Sequence, residues 1–179
     1  MSDNKLILNH HLIHIFPSQV SREQAIRELA ALLQAGGFVK ESFTDAVIAR
    51  EQVFPTGLPT QPVGIAIPHT DSEHVNRGAI AVGILVEPVT FNEMGDLEAT
   101  VDVSIINVLA IPDPKAVVST LSALAHTFQK SGFLERLSQA KTASAVAELY
   151  KMELNDLLEI ESIDPPTTIS TASCKIAHR

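Results

Sequence analysis

Cysteine is nearly absent. The 179-residue chain has one, Cys174. A single thiol excludes an internal disulfide, and the cysteine-rich zinc patterns are missing with it. Positive charge is also short. Thirteen lysines and arginines stand against 21 aspartates and glutamates, leaving a net charge of −8. Nucleic acid and anionic membrane surfaces are therefore poor partners, and a basic protein is the favoured kind. No stretch approaches the roughly 20 apolar residues that a membrane span needs. The N-terminus has no basic segment followed by a long apolar run, so it does not read as a signal peptide. Internal repeats are lacking too. The expectation is a cytoplasmic protein without membrane insertion.

What is present is ample for a core. Hydrophobic residues are 45% of the chain and charged residues 19%, which suits one globular domain and not a disordered chain. The stretch that organises the reading is Gly64-Ile65-Ala66-Ile67-Pro68-His69-Thr70. Val63 to Ile67 is short, apolar and partly β-branched, and it reads as a buried strand. Pro68 cannot donate to a sheet ladder and restricts the residue before it, so the strand is expected to stop there. His69 then stands just past a rigid strand end, able to face solvent, with Thr70-Asp71-Ser72-Glu73-His74 behind it.

Around this stretch, strand and helix patterns alternate. Leu6 to Leu8 and Leu12 to Phe16 read as strand pieces, with His10, His11 and His14 among them. Ser21 with Gln24 has capping-box spacing, and Ala25, Leu29, Leu32 and Leu33 follow at helical period up to Gly36-Gly37. A second helix, capped by Ser42 or Thr44, runs through Val47, Arg50 and Val53 to the breakers Pro55 and Gly57. Ala79 to Val86 reads as a buried strand. Pro88 punctuates it, Val89 to Phe91 resumes it, and Asn92 to Asp96 is a turn. Val101 to Ile111 reads as a central strand. Asp113 and Pro114 open a helix lined by Val117, Leu121, Leu124 and Phe128. A short helix around Leu134 to Leu137 follows, and Thr142 opens a last one with Val146, Leu149 and Tyr150 inward. The pattern predicts a single-domain α/β sandwich with a mixed β-sheet flanked by helices on both faces, over residues 1–154. Residues 155–179, which contain Pro165-Pro166, are expected to be a flexible tail.

Four segments in this order, Arg50-Glu51, Phe54-Pro55-Thr56-Gly57-Leu58, the Ala66-Ile67-Pro68-His69-Thr70 core and Phe91-Asn92-Glu93-Met94-Gly95, carry a resemblance. Over roughly residues 5 to 153 the chain resembles the enzyme IIA domain of the sugar phosphotransferase system, of the fructose/mannitol superfamily. The Phe-Pro-Thr-Gly-Leu segment is most similar to the galactitol-type branch. The resemblance implies that His69 carries a phosphoryl group. It would accept that group from the phosphohistidine of the carrier HPr and pass it to a cysteine on a IIB component serving a galactitol-like sugar permease. It implies no cofactor and no metal. It also implies a place for Arg50 near the phosphohistidine.

The residue types suit that chemistry. Imidazole is a good nucleophile near neutral pH because much of it is unprotonated. Phosphoryl transfer asks mainly for positioning and charge neutralisation. Arg50, the Thr70 hydroxyl and backbone N–H groups after Pro68 are candidates for neutralisation, and Glu51 is a candidate to orient Arg50. Each has a plainer reading, His69 as a strand-end histidine and Arg50 as a solvated helix charge. The chain departs from the family in one respect. Many relatives carry a second histidine at the start of the helix after the long strand, where this chain reads Asp113-Pro114-Lys115-Ala116. Lys115 offers a point charge in its place, and His126 lies further along that helix as a surface or packing residue.

Two rival readings remain. One is a regulatory phosphoprotein of the same fold that controls a partner through the state of His69. The other is a metal-dependent enzyme using His69, Asp71 and His74, with Glu73 beside them, since these residue types bind zinc or manganese. That spacing matches no established motif, and a solvated turn explains Asp71 and Glu73 more simply. His10, His11 and His14 also resemble a cluster, but alternation sets His11 on the face opposite the other two.

Overall fold

The computed structural model describes residues 5–161. Among these, seven strands form one mixed sheet. They are β1 (Leu6–Leu8), β2 (Ile13–Phe16), β3 (Gly57–Leu58), β4 (Gly64–Ala66), β5 (Ala79–Glu93), β6 (Asp96–Ala110) and β7 (Leu158–Ile160). The helices are α1 (Arg22–Ala35), α2 (Phe43–Val53), α3 (Val117–Phe128), α4 (Phe133–Gln139) and α5 (Ala143–Leu154). The order across the sheet is β3-β4-β6-β5-β1-β7, with β2 also paired to β5.

The centre is the antiparallel pair β5–β6, closed by a tight turn in which Gly95 takes a φ of 84°, a value that a side chain would resist. Every residue of Ser104–Ala110 is buried. That requires cover on both faces of the sheet. Val82 pairs with Asn107 and Gly83 with Ile106, and successive side chains point to opposite faces. On the face of Gly83 lies Leu29 of α1. On the face of Asn107 lies Tyr150 of α5, whose hydroxyl donates to the Asn107 side-chain oxygen. Helices thus cover both faces, as the alternating pattern predicts.

Local signals place the helices. The Ser21 hydroxyl accepts from Gln24 N–H at the start of α1, and the Thr142 hydroxyl accepts from Ala145 N–H at the start of α5, each satisfying an otherwise orphaned donor. The Asp113 carboxylate accepts from Lys115 N–H, opening a 3₁₀ turn over Pro114–Ala116 that runs into α3. Among the described residues no helix is long and apolar enough to cross a membrane.

Three expectations need correction. β5 does not break at Pro88 but runs through it. Its register shifts between Ile84 and Val89, and Val86, Glu87 and Pro88 are exposed, so a bulge takes up the residue that cannot donate to the ladder. His10–Leu12 form a 3₁₀ turn, not strand, capped by the Asn9 side chain accepting from His11 N–H. Finally, the expected tail from residue 155 starts too early. Leu158–Ile160 pair in parallel with Leu6–Leu8, and Leu158 is buried in the core. The rest of that expectation, residues 162–179, lies outside the described residues.

Strand β7 therefore contributes to stability. Burial of one leucine is worth about 1.5–3 kcal/mol. A chain ending after Asn155 should melt about 5 °C below one ending after Glu161, measured by circular dichroism. Equal melting temperatures would show that β7 adds nothing.

Candidate functional site

The backbone leading to His69 is tied down on both sides of Pro68. β4 ends at Ala66, and the next N–H, of Ile67, donates to the Thr56 hydroxyl oxygen at 3.2 Å. Pro68 has no N–H to give, but its carbonyl accepts from Leu109 N–H at 2.9 Å. His69 itself bridges to Leu109 of β6. The residue is fixed by the middle of the sheet.

His69 was expected to face solvent, and the structure differs. It is only 7% exposed and lies in a cleft of about 600 Å³, with Arg50, Thr70, Ser72, Pro114 and Val118 among the other lining residues. Its Nδ1 is 2.8 Å from the Ile67 carbonyl oxygen. A carbonyl can only accept, so Nδ1 carries the proton and Nε2 keeps its lone pair. Burial pushes the imidazole pKa below its ordinary value. The bond to Ile67 opposes this, the Arg50 charge adds to it, and Asp71 opposes it more weakly. The net result is a ring that is neutral at pH 7, with Nε2 available as a nucleophile.

Arg50, in the last turn of α2, is not on an outward helix face. It is half-buried in the same cleft, its Nη1 3.5 Å from Asp71 Oδ1 and its guanidinium 5.2 Å from the Phe54 ring centroid. Its Nε is buried without a partner, and so is the Ser72 hydroxyl oxygen. Thr70 is buried beside them. The cleft is thus lined by a neutral imidazole and by two side chains, Arg50 and Ser72, that each carry a buried unpartnered polar atom, an arrangement suited to an anion next to a nucleophile. Lys115 does not line it. Pro114, Val117 and Val118 form that wall.

The metal reading is not supported by this geometry. Among the described residues no three His, Cys, Asp or Glu side chains gather as a ligand set. His74 instead meets the Ser42 hydroxyl at 2.8 Å and the Glu73 carboxylate at 3.5 Å. His126 is exposed on α3. The His10 and His11 rings meet at a tilt of 40° in their 3₁₀ turn, and His14 reaches the Glu28 carboxylate.

Glu51 does not orient Arg50 through a hydrogen bond. Its carboxylate is buried and accepts from both the N–H and the hydroxyl of Thr56, each at 2.8 Å. Phe43, Val47 and Glu51 are the buried residues of α2, spaced four apart. That spacing was a readable signal for burial, overridden by the charge. Thr56 and Ser72 carried no comparable signal. Burial pushes the Glu51 carboxyl up to about 7, against its bonds to Thr56 and the Arg22 charge.

Residues 6–152 match the family model described as phosphoenolpyruvate-dependent sugar phosphotransferase system, EIIA 2. The galactitol-specific EIIA component of Escherichia coli K12 is 30% identical over 120 residues, covering 67% of this chain and 79% of that one. A multiphosphoryl transfer protein of Escherichia coli O6:H1 is 30% identical over 145 residues. The match covers 79% of this chain but only 17% of that protein's length. The fold is shared with a complex of enzyme IIA and phosphorylated enzyme IIB of the Escherichia coli mannitol system, at a TM-score of 0.67 and 24% identity, covering 80% of this chain and 97% of that one.

The buried carboxyl makes stability depend on pH in a stated direction. Unfolded, Glu51 loses its proton near its ordinary 4.5; folded, near 7. Between these values the folded state holds the extra proton, so rising pH favours unfolding. This contribution is fully present below 4.5 and is lost as pH rises through 7. Glu51→Gln cannot titrate. The melting temperature of the wild type relative to this variant should fall from about pH 5 to about pH 8. Parallel curves would show that the buried carboxyl does not titrate in that window.

Proposed function

This chain belongs to the EIIA 2 family of the phosphoenolpyruvate-dependent sugar phosphotransferase system, and on that premise we propose that it relays a phosphoryl group on His69, from HPr to a IIB component. The observation that carries the reading is the Nδ1–H to Ile67 carbonyl bond, which leaves the Nε2 lone pair in the cleft residue. The Nε2 lone pair attacks phosphorus. The bond from phosphorus to the donor histidine breaks, and its electrons return to that ring. In the second half a thiolate of the IIB component attacks, and the Nε2–phosphorus bond breaks. No cofactor enters.

The three phosphoryl oxygens need positive charge and donors during transfer. Arg50, with its unpartnered Nε, takes that role, helped by Thr70 and by the free Ser72 hydroxyl. Asp71 holds Arg50 loosely in the resting state, at 3.5 Å and with Asp71 itself well exposed. The acidic balance of the chain favours docking against a basic face of HPr. The similarity to a galactitol-specific component favours a galactitol-like sugar for the system served. The cytoplasm is the compartment this relay requires.

Incubation with purified phospho-HPr should give a singly labelled protein, with a label that is acid-labile and base-stable as a phosphoramidate is. His69→Gln should fold and lose the label completely, whereas His74→Gln and His126→Gln keep it. A label that persists in His69→Gln, or a wild type that takes none, would sink the relay reading. Arg50→Ala should slow labelling about tenfold or more without changing the melting temperature much. Arg50→Lys should recover only part of the rate, since lysine lacks the planar fork.

A further inference from the structure

Four hydrogen bonds lead from a buried carboxylate to the His69 ring. Glu51 accepts from Thr56 N–H and from the Thr56 hydroxyl, both at 2.8 Å. The Thr56 oxygen in turn accepts from Ile67 N–H at 3.2 Å. The Ile67 carbonyl accepts from His69 Nδ1–H at 2.8 Å. We infer that Glu51 and Thr56 are positioning residues for His69: they hold the Ile67 backbone so that its carbonyl keeps the proton on Nδ1 and the lone pair on Nε2. The inference rests on the relay reading of His69, but its main readout does not.

The directions of the bonds are consistent along the whole chain. With Glu51 ionised, above its pKa of about 7, the Thr56 hydroxyl gives its proton to the carboxylate, and its oxygen is free to accept from Ile67. Without Thr56 the Ile67 N–H would be an orphan, since β4 has already ended at Ala66, and a buried unpaired N–H is costly. The Ile67 N–H and carbonyl lie on successive peptide groups joined at the Ile67 Cα, so a shift of this strand end toward another partner would displace the carbonyl as well. Glu51 is 4% exposed, on a helix stripe whose other buried members are Phe43 and Val47. An apolar residue there would avoid the cost of desolvating a carboxyl. The groups facing Glu51 are Arg22 and Glu23 of α1, around a cavity of about 40 Å³, and Thr56 from the loop. Among the described residues none offers the carboxylate an opposite charge within hydrogen-bond distance, and Arg22 bonds to Asn92 instead.

The test reads the ring directly. Nitrogen-15 spectra of the imidazole distinguish the Nδ1–H from the Nε2–H tautomer, with no phosphoryl donor present. The wild type should show Nδ1–H at His69. Glu51→Gln presents an NH₂ to the Thr56 oxygen, which then competes with Ile67 N–H, and Thr56→Val removes the acceptor. Both should shift His69 toward a tautomer mixture and slow its phosphorylation by the small donor phosphoramidate about tenfold. Thr56→Ser should recover most of both. A folded Glu51→Gln with the wild-type tautomer overturns the proposal, and so does one with a shifted tautomer and an unchanged rate. If Glu51→Gln does not fold, Thr56→Val decides by the same two readouts. If the wild type takes no phosphoryl group while the variants shift the tautomer as expected, the relay reading fails and the positioning assignment stands.

Discussion

The antiparallel pairing of β5 with β6 is the constraint on which everything else hangs. Among the described residues, β1, β2 and β3 attach to β5, β4 attaches to β6, and β7 reaches the sheet only through β1. The pair is long, and its inner half is buried on both faces. Its register therefore cannot slip without moving apolar side chains onto the wrong face. The site inherits that rigidity. Leu109 of β6 holds the Pro68 carbonyl and bridges to His69. The imidazole is placed by a strand of that central pair.

The state of the His69 ring is set largely by a backbone group and by burial. One carbonyl sets the tautomer, and burial, more than any neighbouring charge, keeps the ring neutral. The side chains that would meet an anion, Arg50 and Ser72, hold unpaired donors ahead of time. For the proposed relay, such preorganisation lowers the barrier because donors are in place as charge develops. It also means that the resting cleft is less stable than a fully paired one, since buried donors without partners weaken the folded state.

Much of this was readable from residue order. The apolar run up to Ile67, the punctuation by Pro68 and the caps at Ser21 and Thr142 are local signals, and they hold in the structure. The nearness of Arg50 to His69 came from the family resemblance, because nothing local relates a helix residue to a strand end. β7 was invisible because three residues, Leu-Glu-Ile, carry no periodicity and their partner lies at the other end of the chain. The continuity of β5 was hidden by Pro88, which a bulge tolerates. Glu51 was misread because carboxylates are seldom buried, although its spacing from Phe43 and Val47 marked the core face. Its partner Thr56 shows only in three dimensions.

The pairing of β1 with β7 has a mechanical consequence. The two short strands run parallel at one edge of the sheet, so the described chain enters by the start of one and leaves by the end of the other. Tension applied between those two points pulls the strands past each other. Their ladder bonds are then loaded together in shear and not opened one at a time like a zipper. The bridge at Leu109 that holds His69 belongs to β6, which β5 and β1 separate from β7. A pull transmitted along the backbone meets this edge first, and His69 sits outside the line of force.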